Sequence, residues 1–283
     1  MRIAVASGKG GTGKTTVAVN LALIAARAGQ TVHLGDCDVE EPNAHLFLNP
    51  DYDFVRPVMV PVPVVDHDAC NHCGECAAFC EFNAIACLPE KTMIFDDLCH
   101  SCSGCWLVCP HEAMIPSERS LGTVSSGTAD GLAFTQGRLR VGETLVPPLI
   151  QAVKEVTGDE SWVILDAPPG TTCPVVETLR DADYVVLVTE PTPFGQHDLA
   201  LALDLTRKLG IPCGVVINRA SAVPSPVDDY CVREGVGILA RIPFRREVAE
   251  ACAEGGLAIE ADPEVAAVMT ELFRTLQSLG VKT

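Results

Sequence analysis

Basic and aromatic side chains are scarce in this chain. Its 283 residues include 20 lysines and arginines against 37 aspartates and glutamates, which gives a formal net charge of −17 at pH 7. That charge argues against nonspecific binding to nucleic acid or to anionic lipid, because both need basic patches. Aromatic residues make up only 5% of the chain and hydrophobic residues 48%. This aliphatic composition favours an α/β sheet over an aromatic-rich sandwich or barrel.

A secretory signal and a membrane-length apolar run are also lacking. No run reaches the roughly 18 apolar residues that a membrane span needs, and the opening MRIAVAS leads directly into a glycine-rich loop. Fourteen cysteines without an export signal point to metal ligation in a reducing compartment rather than to disulfides. We therefore expect a cytoplasmic protein with no membrane anchor and no nucleic-acid partner.

A phosphate-binding loop follows the first apolar strand. GKGGTGKT, residues 8–15, matches the pattern G-x-x-x-x-G-K-[ST] in full and leads into a helical stretch at 15–28. Backbone N–H groups at a helix N-terminus can cradle phosphate oxygens, the loop lysine reaches the β- and γ-phosphates, and the following hydroxyl ligates Mg²⁺. The predicted nucleotide site is Gly10, Gly11, Thr12, Gly13, Lys14, Thr15 and Thr16, with Thr15 as the Mg²⁺ ligand.

Eight cysteines form two runs with the spacing C-x2-C-x2-C-x3-C, which is typical of two-cluster bacterial ferredoxins. The second run repeats the first at an offset of 29 residues, from Cys70 to Cys99. In such a duplicated fold each 4Fe–4S cluster takes three ligands from one run and the fourth from the other. Structural zinc is the alternative, although zinc sites usually use two cysteine pairs with a longer spacer. The predicted clusters are held by Cys70, Cys73, Cys76 and Cys109, and by Cys99, Cys102, Cys105 and Cys80.

A cysteine-rich segment interrupts an α/β pattern. A strand–helix–strand unit spans residues 2–38, and further apolar strands separated by helical stretches follow between 161 and 243. We predict an α/β fold: a parallel-sheet P-loop NTPase with helices on both faces, interrupted by a small α+β ferredoxin-like insert. The predicted boundaries divide the chain into 1–60 and 119–283 of the nucleotide domain and 61–118 of the insert.

Lys9 makes KGGTGKT resemble the deviant Walker A motif of the MinD, Mrp and nitrogenase iron-protein superfamily. The resemblance continues through most of the chain, in GDCDVEEPN (35–43), LDAPPGTT (165–172), VINR (216–219) and IPF (242–244). The chain thus resembles MinD/Mrp-superfamily P-loop ATPases that carry an inserted two-cluster 4Fe–4S ferredoxin domain.

The resemblance implies roles for five further residues. Lys9 would contact nucleotide in the partner subunit of a nucleotide-bound dimer, either a homodimer or a heterodimer with a paralogue. Asp38 would position the attacking water in switch I, and Asn218 would contact adenine, with 242–244 lining the base pocket. Asp36 and Asp166 would lie at the magnesium ion, the latter acting through water.

Three functions are compatible with these motifs. The first is an ATPase that couples nucleotide state to electron transfer, through two 4Fe–4S clusters, to a partner metalloprotein. The second is an assembly or carrier ATPase for iron–sulfur or other metal cofactors, and the third is a nucleotide-dependent positioning scaffold. Two completely ligated clusters favour the first. In each case the cofactors are ATP or ADP, Mg²⁺ and two clusters, the partner is a redox or metal-cluster protein, and hydrolysis is slow without it.

Overall fold

A nine-stranded sheet forms the centre of the computed structural model, which describes residues 1–280. Its strand order is β11-β10-β9-β1-β8-β2-β7-β6-β3, and β4 and β5 form a separate hairpin. The strands are β1 Arg2–Ala6, β2 Val32–Asp36, β3 Asp51–Val65, β4 Ile85–Leu88, β5 Lys91–Ile94, β6 Met114–Ala129, β7 Leu132–Leu139, β8 Trp162–Asp166, β9 Tyr184–Thr189, β10 Cys213–Ala220 and β11 Ile238–Pro243.

Helices cover both faces of the sheet. One apolar layer packs α1 and α11 against it, and the other packs α5, α6, α7 and α8. Within residues 1–280 no helix is long and apolar enough to cross a membrane. The helices are α1 Lys14–Arg27, α2 His45–Leu48, α3 Glu75–Phe79, α4 Gly104–Val108, α5 Pro147–Thr157, α6 Cys173–Leu179, α7 Pro193–Leu209, α8 Pro226–Glu234, α9 Arg246–Ala253, α10 Ala258–Ala261 and α11 Pro263–Gly280.

The α/β class is confirmed, and the sheet is parallel from β11 to β7. Strands β6 and β3 are antiparallel additions, so the sheet is mixed and mostly parallel. The reversal between β6 and β7 occurs at Asp130 and Gly131, whose φ angles are 46° and 81°. Two positive φ angles are what a two-residue type I′ hairpin turn requires, and Asp-Gly supplies them.

Strands β3 and β6 form a long antiparallel ribbon that carries the cysteine-bearing segment at its far end. Their pairing runs from Asp51 opposite Thr128 to Val65 opposite Met114. The predicted boundaries face each other across this ribbon, because Val60 pairs with Arg119. The division into 1–60, 61–118 and 119–283 stays a prediction, and it cuts one continuous ribbon.

The segment beyond the ribbon, which we call the insert (66–113), repeats its structure at the same offset as its cysteines. Helices α3 and α4 occupy equivalent positions in the two halves. The pair Val65–Met114, which closes the ribbon, is equivalent to the pair Ile94–Ile85 of strands β5 and β4, because Val65 corresponds to Ile94 and Ile85 to Met114 at the offset of 29 residues. Left-handed backbone also recurs, at His72 and again at Ser101. The sequence repeat is therefore a structural repeat with approximate twofold symmetry.

Candidate functional site

The P-loop joins β1 to α1, so its backbone N–H groups lie at the carboxyl edge of the parallel strands. Gly11 and Gly13 have φ angles of 77° and 93°, in the left-handed region that favours glycine. A Cβ on Gly13 would also lie 2.3 Å from Nδ2 of Asn218. The loop conformation therefore requires glycine at 13 for two independent reasons. Lys14, the first residue of α1, is only 6% exposed.

Two fully buried carboxylates end the adjacent strands β8 and β2, which lie on one side of β1 and its loop. Asp166 ends β8, and the hydroxyl of Thr15 donates a hydrogen bond to its Oδ2 at 2.5 Å. Its Oδ1 is buried without a hydrogen-bond partner among residues 1–280. Burial raises the pKa of Asp166 to about 7, against the opposing effects of Lys14 and Thr15. A buried carboxylate with a free oxygen is suited to a divalent cation or its water shell, so the donor set fits Mg²⁺.

Asp36 ends β2 and organises the loop that follows it, residues 37–44. Its carboxylate accepts hydrogen bonds from the backbone N–H groups of Asp38, Asn43 and Ala44, at 3.0 to 3.1 Å. Burial, followed by the charge of Asp166, holds the pKa of Asp36 well above its usual range. The structure thus places Asp36 beside Asp166 at the ends of neighbouring strands, where it also shapes this loop, and its place at the magnesium ion stays a prediction.

Asp38 lies in the same loop and is half-buried. Burial raises its pKa to about 6, and the charge of Lys14 opposes the rise. Lys14 and Asp166 therefore both interact electrostatically with Asp38. The structure brings the predicted water-positioning residue to the phosphate end of the P-loop, and its role stays a prediction.

Lys9 contacts carboxylates of its own chain. Its Nζ lies 3.4 Å from Oε2 of Glu190 and 3.9 Å from Oδ2 of Asp198. Glu190 also pairs with the guanidinium of Arg219. The predicted contact of Lys9 with nucleotide in a partner subunit would require the lysine to leave these carboxylates, and it stays a prediction.

An open pocket of about 310 Å³ lies beside the P-loop and contains the residues predicted to surround the base. Asn218 lines it, and its Nδ2 donates to the carbonyl oxygen of Thr12 at 2.8 Å, while its Oδ1 accepts from the N–H of Arg219 at 2.9 Å. Asn218 is therefore a brace for the P-loop as well as a candidate base contact. The pocket lining includes Gly13, Thr16, Asn20, Asn218, Ile242, Pro243, Phe244, Cys252 and Met269.

The eight repeated cysteines surround two separate cavities in the insert. Four of them line each cavity, in the grouping predicted from the spacing: Cys70, Cys73, Cys76 and Cys109 around the first, and Cys80, Cys99, Cys102 and Cys105 around the second. Within residues 1–280 no three His, Cys, Asp or Glu side chains converge closely enough to hold a single metal ion. The assignment of these cysteines as cluster ligands stays a prediction.

Backbone N–H groups point at equivalent sulfurs in the two halves of the repeat. The N–H of Ala84 donates to Sγ of Cys80 at 3.4 Å, and the N–H of Ala113 donates to Sγ of Cys109 at 3.3 Å. Burial, followed by the neighbouring Cys99 and Cys102, raises the pKa of the Cys105 thiol to about 11. Donors aimed at crowded sulfurs stabilise thiolates once a cation neutralises them.

The surroundings of the two cavities differ, and the sequence did not reveal this. At the first cavity the buried hydroxyl of Thr92 lies 3.6 Å from Sγ of Cys70 and 3.0 Å from Nδ1 of His72. The second cavity is lined by the rings of Phe79, Phe82 and Trp106 as well as by Ser101 and Ser103, and Phe82 stacks on His100 with ring centroids 3.7 Å apart. Thr92 carries no signal in the sequence because its neighbours come from tertiary packing.

Comparison with known proteins identifies the class. The profile of the CobQ/CobB/MinD/ParA nucleotide binding domain matches residues 3–258. The chain therefore belongs to this family of P-loop nucleotide-binding proteins. MinD of Pyrococcus horikoshii, solved with Mg-ADP, is a similar structure, with a TM-score of 0.61, 22% identity and coverage of 99% of this chain and 97% of MinD. The fold is thus MinD-like.

Two relatives are more similar in sequence. An uncharacterized protein of Methanocaldococcus jannaschii is 30% identical over 258 residues, which cover 90% of each chain. The iron-sulfur cluster carrier protein of Pyrococcus horikoshii is 26% identical over 271 residues, which cover 88% of this chain and 76% of the carrier. The predicted resemblance to the MinD superfamily is thereby confirmed for the P-loop nucleotide-binding domain.

Proposed function

We propose that this protein is an ATPase that carries iron–sulfur clusters or helps to assemble them. The observation that carries the proposal is the pair of four-cysteine cavities in the insert, joined by one ribbon to a P-loop site. The similarity to an iron-sulfur cluster carrier protein supports cluster handling over the electron transfer that two complete ligand sets favoured. We propose the cytoplasm as its location.

The cavities fit 4Fe–4S clusters better than zinc. Four thiolates bound to one zinc ion at about 2.3 Å must converge on a point. In a cubane each thiolate binds a different iron, so the four sulfurs surround a larger volume. Two sets of four cysteines with the ferredoxin spacing, each lining its own cavity, support the second arrangement.

At the nucleotide site, Lys14 would hold the β- and γ-phosphates, and Thr15 with Asp166 would hold Mg²⁺ directly and through water. The cation, when bound, neutralises phosphate charge that develops during hydrolysis. The backbone N–H groups of 10–15 orient the phosphates, and Asp38 orients water for attack. Asp36 keeps Asp38 in place through its hydrogen bond to the Asp38 N–H. The nucleotide-bound dimer, with itself or a paralogue, completes the site through Lys9.

Cluster transfer gives the decisive experiment. The protein is purified anaerobically and should contain about eight iron atoms per chain, from two cubanes. Mixed with an apo 4Fe–4S ferredoxin and Mg–ATP, it should lose iron as the ferredoxin gains its absorbance. Cys73→Ser should halve the bound iron, while Cys87→Ser, a cysteine of the insert outside both sets of four, should leave it unchanged. Tightly bound zinc with little iron would overturn the cluster assignment.

Electron transfer remains the second candidate, because each cavity has a complete set of four cysteines. A protein that keeps its iron in the presence of the apo ferredoxin, but passes electrons from dithionite to a redox protein at a rate that Mg–ATP changes, would support this second function. Iron loss to the acceptor that depends on Lys14 would support the carrier.

A further inference from the structure

A buried ion pair fastens the second cysteine run to the nucleotide domain. The side chain of Glu143, in the loop between β7 and α5, is 0% exposed and pairs with the guanidinium of Arg119 on β6. Its Oε1 also accepts from the backbone N–H groups of Thr144 and Leu145, both at 2.9 Å. A buried charge with this many partners is rigidly held, because leaving any partner unpaired is costly. We call Arg119, Glu143 and Arg140 the clamp.

The clamp reaches the insert at two points. Nη2 of Arg119 donates to the carbonyl oxygen of Cys99 at 3.0 Å. Nη2 of Arg140 donates to Oδ1 of Asp97 at 2.6 Å and lies 3.4 Å from Oε2 of Glu143. Both arginines therefore share one carboxylate and both hold the turn that delivers Cys99 to the second cavity.

The chain just before Arg140 contacts the loop 37–44 at the nucleotide site. The N–H of Leu139, which ends β7 one residue before Arg140, donates to the carbonyl oxygen of Val39 at 2.8 Å. Val39 follows Asp38 directly, is buried, and packs its side chain above Gly137. A displacement of the loop 37–44 would therefore move the start of the clamp through a backbone hydrogen bond and a close side-chain contact.

The geometry points to a route from nucleotide to one cavity only: from Asp38 and Val39, through Leu139 and the clamp, to the turn that carries Cys99. This inference rests on the proposed function, because it assumes that bound nucleotide orders the loop 37–44. It differs from the connection through the paired strands β3 and β6, which joins both cysteine runs to the sheet, because the clamp contacts the second run only. The first cavity provides an internal comparison, since the described hydrogen-bond partners of Cys70 are Asp66, His72 and Thr92, all within the insert.

Hydrogen exchange measured by mass spectrometry tests the route in the full-length, anaerobically purified protein. A nonhydrolysable ATP analogue with Mg²⁺ should slow exchange in 96–103 by about fivefold, the lower end of couplings between sites. The equivalent residues of the first run, 67–74, should change little. Exchange of 8–16 reports nucleotide binding separately. No protection of 8–16 would overturn the proposed ATP site, and the inference with it.

Two variants isolate the clamp. Arg119→Lys keeps a positive charge beside Glu143 but loses the planar guanidinium group that contacts both Glu143 and the carbonyl oxygen of Cys99. Arg140→Gln removes the ion pair with Asp97. In each variant, the ATP analogue should slow hydrogen exchange of 96–103 much less than in the wild type, or not at all, while it still slows exchange of 8–16. Arg56→Lys, on β3 of the same ribbon, should keep the full response. An unchanged response in both clamp variants, or equal responses of 67–74 and 96–103 in the wild type, would overturn the route.

Discussion

Replacement of Gly13 by alanine should lower the free energy of unfolding for two separable reasons, backbone strain and a lost hydrogen bond. The left-handed φ of 93° makes any L side chain strained, at a cost of about 1–2 kcal/mol. The new Cβ would lie 2.3 Å from Nδ2 of Asn218, so that amide must move and lose its hydrogen bond to Thr12. A hydrogen bond of this kind contributes about 1 kcal/mol. Gly13→Ala should therefore destabilise the protein by about 2–3 kcal/mol.

A double-mutant cycle separates these two costs. Asn218→Ala alone loses the hydrogen bond, and Gly13→Ala added to it contributes the backbone strain only. The double variant should thus be less destabilised than the sum of the single variants by about 1 kcal/mol. Gly11→Ala is the matched control, since Gly11 has a φ of 77° but no atom within 4 Å of its added Cβ. Its effect should be additive with Asn218→Ala.

Urea denaturation provides the free energies, with coincident fluorescence and circular-dichroism transitions as the check of two-state unfolding. Additivity of Gly13→Ala with Asn218→Ala would refute the contact between the P-loop and Asn218. The affinity for Mg–ADP, measured by calorimetry on the same variants, shows whether the brace also shapes the phosphate site. We expect Asn218→Ala to weaken binding.

Three further predictions concern the nucleotide chemistry. Mg–ADP should bind more tightly as the pH rises through about 7, and its binding should release protons. The reason is that the cation needs ionised Asp166, whose pKa is raised by burial. Calorimetry in buffers of different ionisation enthalpy measures this proton release, which should be absent in Asp166→Asn. Asp38→Ala should bind ATP but release no phosphate in a turnover assay, and normal turnover would remove its assigned role. With a nonhydrolysable ATP analogue, light scattering should show a dimer for the wild type and a monomer for Lys9→Ala. The control is Lys208→Ala, which removes a lysine that pairs with Asp204 on α7 and should dimerise normally. A wild-type monomer would indicate a paralogous partner.

Motifs with fixed local spacing were predictable from the sequence. The P-loop needs only adjacent residues and a strand–helix frame, so its position before α1 followed directly. The grouping of cysteines around two cavities also followed, because a 29-residue duplication imposes a twofold relation in which the fourth cysteine of each run lies near the other run. In both cases the physical constraint acts within a short stretch of chain.

The ribbon was only partly predicted. The stretch VMVPVPVV at 58–65 reads as extended chain from its sequence, whereas β3 and β6 run for 15 and 16 residues. Prolines at 57, 61 and 63 in β3 obscure the strand signal, and an edge strand tolerates them because its outer N–H groups need no partner. Helix α8, by contrast, carries a local start signal, because Ser225, Pro226 and Asp228 supply a capping box and an N1 proline.

Contacts between distant parts of the chain were beyond sequence reasoning. Asn218 and Thr12 lie 206 residues apart, and their hydrogen bond exists only because β10 and the P-loop meet at one edge of the sheet. Arg119 and Glu143 were not singled out, since isolated charged residues in an acidic chain are usually solvated. Their burial depends on the ribbon folding back against the loop after β7.

The position of the insert in the sheet bears on how the two sites communicate. A cysteine-bearing unit on a flexible linker would sense nucleotide weakly, because a linker transmits little force. Here the insert emerges from the paired strands β3 and β6. Strand β7 pairs with β6 on one side and with β2 on the other, so it lies between the insert and the loop 37–44 that follows β2. Leu139 contacts Val39, and Arg140 contacts Asp97. The loop 37–44 and the second cysteine run therefore contact one short segment, 139–140, which is the physical requirement for the proposed control of the insert by ATP.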